Sequence, residues 1–355
     1  MATILIKNGR VWDGEKFFYA DVLSVGKVIE KIEPNIDAKA DFTFDASGKI
    51  VSVGLIDLHT HLRGISCEAF GTPAEISCFP FGVTAAVDAG GTHGTKELLD
   101  SFMLKSVVFV TAGIWNNDMN QNQVQARLDL FKEKALGIKV YFDTTQNDAV
   151  DTTPLKHICD FAHERGLNVM VHCAYSPVKM ADILDTLGEG DILTHSFHGA
   201  PNTAEEDNFE SMKRAKARGV IIDVGFAGHI HTDFMVLNKA IESGVLPDTI
   251  STDITRASAF MRGGRYGMTM CMTIASVLGM KEEDIFRAVT SAPAKVLKKQ
   301  DEWGYLRVGR PADIAVFDYN EIPFSLTDKA KNTVSSQRGY RCALTVIDGQ
   351  VVYRD

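Results

Sequence analysis

Apolar and polar positions divide the 355-residue chain into two kinds of territory. In the middle, short runs rich in apolar and β-branched residues alternate with longer stretches of helical period. The runs are Ile50–Leu58, Val83–Asp88, Ser106–Ala112, Gly137–Phe142, Asn168–His172, Asp191–His195, Val220–Val224 and Thr249–Asp253. The helical stretches include Gln125–Lys134, Pro154–Arg165, Val178–Leu187 and Ala204–Arg218. Gly137, Gly166 and Gly219 stand where a helix C-terminus wants a left-handed residue. Eight strands separated by helices predict an α/β chain folded as a (β/α)8 TIM barrel. An open doubly wound sheet shares much of this rhythm. Its first strand, however, would be followed by a glycine-rich nucleotide loop, and here two histidines stand instead.

The two ends read differently. Thr3–Lys7 leads into Asn8-Gly9, a hairpin signal, and Val22–Val25 leads into Gly26-Lys27 and a partly alternating run to Ile32. At the far end Ala312–Asp318 and Ala343–Tyr353 are strand-like, with Asp348-Gly349 as another hairpin turn. Strand-rich termini around a different middle predict one small β domain built from residues 1–50 and 305–355. The barrel then occupies 51–304.

Composition adds exclusions. Apolar residues make up 45% and charged residues 23%, as in ordinary soluble proteins. A net charge of −9, from 37 basic and 46 acidic residues, argues against a nucleic-acid or anionic-membrane partner. No apolar run approaches the ~20 residues that span a bilayer. The start of the chain lacks the layout of a signal peptide. The six cysteines are scattered without a CxxC pair, which suits reduced thiols. A soluble cytoplasmic enzyme is expected, with homo-oligomers allowed.

Candidate chemistry sits at the predicted strand ends, where a barrel keeps its active site. Side chains at i and i+2 of a strand share a face, so His59 and His61, with Asp57 before them, are expected to point together. Two imidazoles so placed are half of a divalent-metal site. His172 ends the fifth strand, His195 the sixth and Asp253 the eighth. Taken singly, each is equally well a satisfied polar residue at a barrel rim. Jointly, buried polar groups need partners, and a metal supplies one. Lys139 lies inside the fourth strand among apolar residues. It either snorkels to the rim or loses its proton and reacts with CO2, giving an anionic carbamate able to bridge two cations.

The set His59/His61, Lys139, His172, His195, Asp253 resembles the amidohydrolase superfamily, binuclear-metal branch. That family carries HxH after strand one, lysine on strand four, histidines after strands five and six, and aspartate after strand eight. Its β-sandwich from both chain ends matches 1–50 and 305–355. Thr290–Lys295 and Gly304–Asp313 look like its exit from barrel to sandwich. Val87–Gly91, Gly137–Lys139, Thr194–Gly199 and Leu246–Asp253 look most like its amidohydrolase/deacetylase (dihydroorotase-like) group. Gly225–His231 matches less closely.

The resemblance implies two divalent ions, zinc by ligand type, sharing a bridging hydroxide. His59 and His61 would hold the more buried ion with Asp253. His172 and His195 would hold the more exposed one, and carboxylated Lys139 would bridge. Asp253 would act as general base and acid. The implied reaction is hydrolysis of an N-acyl or O-acyl bond of a small carboxylate, within the hydrolases of carbon–nitrogen bonds other than peptide bonds. Ring opening of a cyclic amide, dihydroorotase- or hydantoinase-like, is the alternative, because His59-Thr60-His61-Leu62-Arg63 has the dihydroorotase form. There the arginine holds the substrate carboxylate. A solvent-facing loop arginine is the plain reading of Arg63. A non-catalytic scaffold of the same fold would have lost ligands, and here the set is intact.

Arg262 and Arg265 are expected to reach the substrate from the last βα loop, and Gly90 and Gly91 to let backbone amides approach it. His198 is a further substrate-binding candidate, with His229, His231 and, more weakly, His93 behind it. His157 and His163 fall in a predicted helix and read as structural or exposed. Cys173 should point into the core.

Overall fold

The computed structural model describes residues 2–62, 71–91, 96–101, 103–112, 120–144, 149–228, 230–261 and 266–355. Five strands come first: β1 (Thr3–Trp12), β2 (Phe17–Val25), β3 (Val28–Glu33), β4 (Phe42–Asp45) and β5 (Ile50–Val53). The run Ile50–Leu58 is two strands rather than one. β5 pairs with β1 and with the C-terminal region, while β6 (Leu55–Thr60) opens a separate parallel sheet. The chain changes sheets at Gly54, where a Cβ would lie 2.0 Å from Thr84 Oγ1. Periodicity could not reveal the break, because both strands are buried on every residue and neither alternates with solvent.

β6 is followed by β7 (Val83–Gly91), β8 (Lys105–Thr111), β9 (Ala135–Tyr141), β10 (Asn168–His172), β11 (Ile192–Thr194) and β12 (Ile221–Ile222). These form one seven-stranded sheet in consecutive order, every pairing parallel. Helices such as Gln121–Phe131, Thr153–His163 and Met180–Thr186 make the crossovers. Gly166 (φ 67°) and Gly219 (φ 90°) do close helices, whereas Gly137 lies inside β9. The stretch Ala204–Arg218 is broken by left-handed Asn208 and Phe209, and only Glu210–Ala217 is α-helical.

Thr249–Asp253 forms no ladder of its own but touches both edges of the sheet. Thr249 bridges Asp223 and Ile254 bridges Thr60. Val224 N donates to Thr249 O (3.2 Å), and Asp253 N donates to His59 O (2.7 Å). Ile56, Val87, Phe109, Met170 and Ile192, from five of these strands, form one apolar cluster, joined by Leu297 and Trp303.

Both termini build the second sheet. β13 (Ile314–Thr327), β14 (Thr333–Ile347) and β15 (Gln350–Arg354) extend it in the order β15-β14-β13-β5-β1-β2-β3, with β4 beside β1. Asp348-Gly349 is the expected hairpin turn, both residues at positive φ. Asn8-Gly9 is not a hairpin. β1 runs through it, and the pair sits at a register shift against β2, where the other neighbour of β1 changes from β4 to β5. The Asn8 N–H, freed from the ladder, donates to Asp21 Oδ1 at 2.7 Å. The helix Met268–Val277 packs on β14, with Tyr340 N donating to Thr273 Oγ1 (3.0 Å). The five described cysteines are buried and free, and no described helix is long and apolar enough to cross a membrane.

Candidate metal centre

Five residues picked out by their strand-end positions, and Lys139 from inside the fourth strand, converge toward the C-terminal edge of the parallel sheet. The first group is His59, His61 and Asp253. Asp253 Oδ1 lies 2.9 Å from His61 Nε2 and 3.3 Å from His59 Nε2. The second comprises His172 and His195, whose Nδ1 and Nε2 are 2.9 Å apart. Lys139, fully buried, places Nζ 3.0 Å from His59 Nε2. Each group has three donors close enough to hold a metal ion, the third member of the second being His231. We call them the inner and outer half-sites.

Hydrogen bonds fix which nitrogen is free on three of the rings, His59, His195 and His172. The Thr194 hydroxyl donates to Asp223 Oδ2 (2.7 Å), so it accepts from His59 Nδ1–H (3.0 Å) and leaves His59 Nε2 with its lone pair. His195 Nδ1–H donates to Gly225 O at 2.7 Å, again freeing Nε2. For His172 the carboxylate lies on the other side: Asp143 Oδ2 is 3.4 Å from Nε2, which frees Nδ1. The lone pairs of His172 and His195 thus face each other, an arrangement a shared cation satisfies. Burial, reinforced by the Lys139 charge at His59 and by the neighbouring imidazoles of His231 and His172 at His195, holds both well below the usual imidazole range and so keeps both rings neutral.

The same burial lowers the Lys139 amine to about 7, only partly offset by Asp253 and Asp223. For Asp253 burial favours the neutral acid, but His59, His61 and His231 outweigh it and hold the carboxyl below its ordinary value. His195 (φ 62°) and Asp253 (φ 47°) both have left-handed backbones, strain of a kind that gathers at functional sites.

Asp57 does not join the imidazoles, although simple alternation places it with them. The register of β6 against β7 slips between Asp57 and Thr60. The Asp57 carboxylate accepts from Thr252 N (3.1 Å) and Thr252 Oγ1 (2.6 Å), tying β6 to the segment that carries Asp253. Burial raises it to about 7.

Other candidates are placed unevenly. Gly90 (φ 122°) lies by the Tyr141 hydroxyl, 3.4 Å from where its Cβ would be, and the Tyr141 ring is 5.3 Å from that of His172. Gly91 is buried against Val108. His198 is buried, shares a hydrogen bond with Gly199 O through Nδ1 (2.8 Å), and belongs to neither half-site. Arg63, Arg262, Arg265, His93 and His229 lie outside the described residues. His163 pairs with Asp191 (2.9 Å), which also accepts from Val169 N and Gly188 N, a structural role. Cys173 is fully buried.

Sequence reading did not single out Asp143, Thr194 and Asp223, and it ranked His231 low. The first three also stand at or just past strand ends, so the rule that picked the candidate histidines would have flagged them too.

The model of the Amidohydrolase family matches residues 50–352. A deacetylase of Brucella anthropi is 29% identical over 94% of this chain and 87% of that protein. A dihydroorotase of Lactobacillus gasseri is 26% identical over 100% of this chain and 99% of that one. Among solved structures, a dihydroorotase superposes with a TM-score of 0.89 at 25% identity, covering 99% of this chain and 98% of that one.

Proposed function

The chain belongs to the amidohydrolase family, and on that premise we propose that it removes an N-acyl or O-acyl group from a small carboxylate at a two-metal centre. The supporting observation is the convergence of five ligand side chains and one buried lysine on the strand ends of a TIM-barrel-like sheet. The deacetylase relative, matched over most of both chains, favours acyl removal. We read the parallel sheet, closed by Thr249–Asp253, as a (β/α)8 barrel that starts after Gly54 rather than at 51 and runs to 304. Residues 1–50 and 305–355, extended by the rest of β5 to Val53, form the composite β-sandwich domain. A cytoplasmic location and a homo-oligomeric state fit this reading.

The donors suit a borderline divalent cation such as zinc, being neutral imidazoles and one carboxylate. His59, His61 and Asp253 would hold one ion, and His172 and His195 the other. Lys139 would lie between as a carbamate, formed when its uncharged amine attacks CO2 and releases a proton. Bound there, such ions would supply a water of lowered pKa and a Lewis acid for the carbonyl. Asp253 does the proton work of this chain: its carboxylate spans both groups, accepts a proton during attack and returns it to the leaving nitrogen or oxygen. Gly225 O and Asp143 hold the outer imidazoles in register, and Thr194 with Asp223 does so for His59. Arg63, Arg262 and Arg265, with Gly90, Gly91 and His198, would bind the substrate carboxylate and its carbonyl.

Ring opening of a cyclic amide is the second reading, favoured by the dihydroorotase that superposes at a TM-score of 0.89 and by the run His59–Arg63. Zinc-loaded protein assayed on N-acetyl amino acids, acetylated hydroxy acids, dihydroorotate and hydantoins separates the two. Deacetylation with inert cyclic amides is expected; turnover of dihydroorotate alone would replace the first reading by the second.

A further inference from the structure

We propose that His231 is a third imidazole donor to the outer ion, making that half-site a three-histidine site. The inference rests on the two-ion reading above, whose ligand pattern assigns nothing to the loop after β12. The His231 ring stands 4.3 Å from His195 and 5.0 Å from His172, centroid to centroid. The ligating nitrogens of all three lie within 4.8 Å of one another. Asp253 divides its oxygens between the half-sites. Oδ1 faces His59 and His61, while Oδ2 lies 3.6 Å from His195 Nε2 and 3.7 Å from His231 Nε2.

The backbone delivers this imidazole deliberately. Gly225 (φ 56°), Ala227 (φ 49°) and Gly228 (φ 75°) are left-handed, and Ile230 N donates to Ala227 O (3.3 Å) to close a turn just before the histidine. Just beyond the histidine, Asp233 N donates to Phe197 O (2.9 Å), and the Asp233 carboxylate caps the helix Phe234–Glu242 by accepting from Met235 N and Val236 N. His231 is therefore held between a fixed turn and a capped helix.

Its own bonding leaves the ring available. The buried Nδ1 has no hydrogen-bond partner among the described residues, and Nε2 looks toward Asp253 and the other two rings. With no protein hydrogen bond drawing the ring away, Nε2 stays aimed at the space between the three imidazoles. Three neutral imidazoles around one point form a donor set that favours zinc, cobalt or nickel over oxygen-seeking magnesium or calcium.

The test compares the metal-loaded wild-type enzyme with His231→Ala, His231→Asn and, as a control for the outer half-site, His195→Ala. Metal content is measured by mass spectrometry after equilibration with graded chelator, and cobalt-loaded protein is followed by its visible absorption. Thermal melting of the metal-free proteins verifies folding. Both His231 variants are expected to lose one of two ions at chelator levels where the wild type keeps both. The outer ion's affinity should fall at least about tenfold, the lower end of the loss caused by removing even a supporting partner, and the cobalt spectrum should change. If both variants keep two ions with wild-type affinity and spectrum while His195→Ala loses one, the proposal is overturned and the two-ion reading stands. If the wild type itself holds fewer than two ions, that reading fails and takes the proposal with it.

Discussion

The inner and outer half-sites use similar donors but are assembled by different means. In the inner one, His59 lies on β6 and His61 just past its end, and Asp253 is bonded to that segment directly: its N–H donates to His59 O (2.7 Å), and His61 N donates to Ile254 O (3.2 Å). Covalent spacing and adjacent backbone do most of the positioning. In the outer one, His172, His195 and His231 come from three separate places along the chain. Their alignment depends on Asp143, Gly225 O and a left-handed turn. The inner group is also sealed, whereas the His231 side chain keeps 18% of its surface exposed. Precision that is inherited from the strand on one side must be supplied by supporting partners on the other.

The largest effect expected comes from the residue that belongs to both. Asp253→Asn keeps the shape but removes the negative charge and the proton acceptor. Hydrolysis should fall by roughly 10²–10⁴-fold, the usual contribution of a general acid–base. Chelator titration should show both ions released more easily, with metal-free melting little changed. Loss of affinity confined to one ion would assign Asp253 to a single half-site and break the symmetry drawn between them. Stripping both ions from the wild type should abolish turnover, and zinc should restore it.

The same contrast explains how much the sequence revealed. The inner pair was legible because HxH at a strand end is a local pattern, and strand periodicity located the partners at 139, 172, 195 and 253. His231 was far less visible, since its approach depends on three left-handed residues in a row of turns that no periodicity encodes. Asp57 was misplaced for a related reason. The register slip after it breaks the alternation, and its carboxylate goes to Thr252 instead. The parallel order of the strands could be read from their spacing. The switch of sheets at Gly54 could not, because it rests on contact with Thr84, distant in sequence, and the bulge at Asn8-Gly9 likewise reflects a change of neighbouring strand.

Supporting partners offer a sharper cut between the half-sites. Thr194→Val removes the acceptor for His59 Nδ1–H at nearly constant volume, freeing the ring to take the wrong tautomer. Asp143→Asn keeps an oxygen for Ala174 N and Tyr175 N but removes the charge beside His172. Each should weaken one ion by about 10–100-fold, the first the inner and the second the outer, with activity falling in step. Two-step chelator titrations distinguish them. If both substitutions loosen the same ion, the half-sites are not separately supported and the comparison collapses.

Gly225→Ala should have the smallest effect on chemistry and tests the outer side most finely. The residue is left-handed (φ 56°), and an added Cβ would lie 2.6 Å from His195 Nδ1 and 2.3 Å from Thr194 Oγ1. A left-handed alanine alone costs roughly 1–2 kcal/mol, so a modest drop in melting temperature is expected. The direction of relief decides the rest. Thr194 is locked by its bonds to His59 and Asp223, while His195 is held through Gly225 O, on the very residue that must shift. His195 should therefore yield first, weakening the outer ion severalfold and leaving the inner ion nearly untouched. A larger loss at the inner ion would mean that Thr194 gives way first, and that the half-site built around the end of β6 is the less rigid of the two.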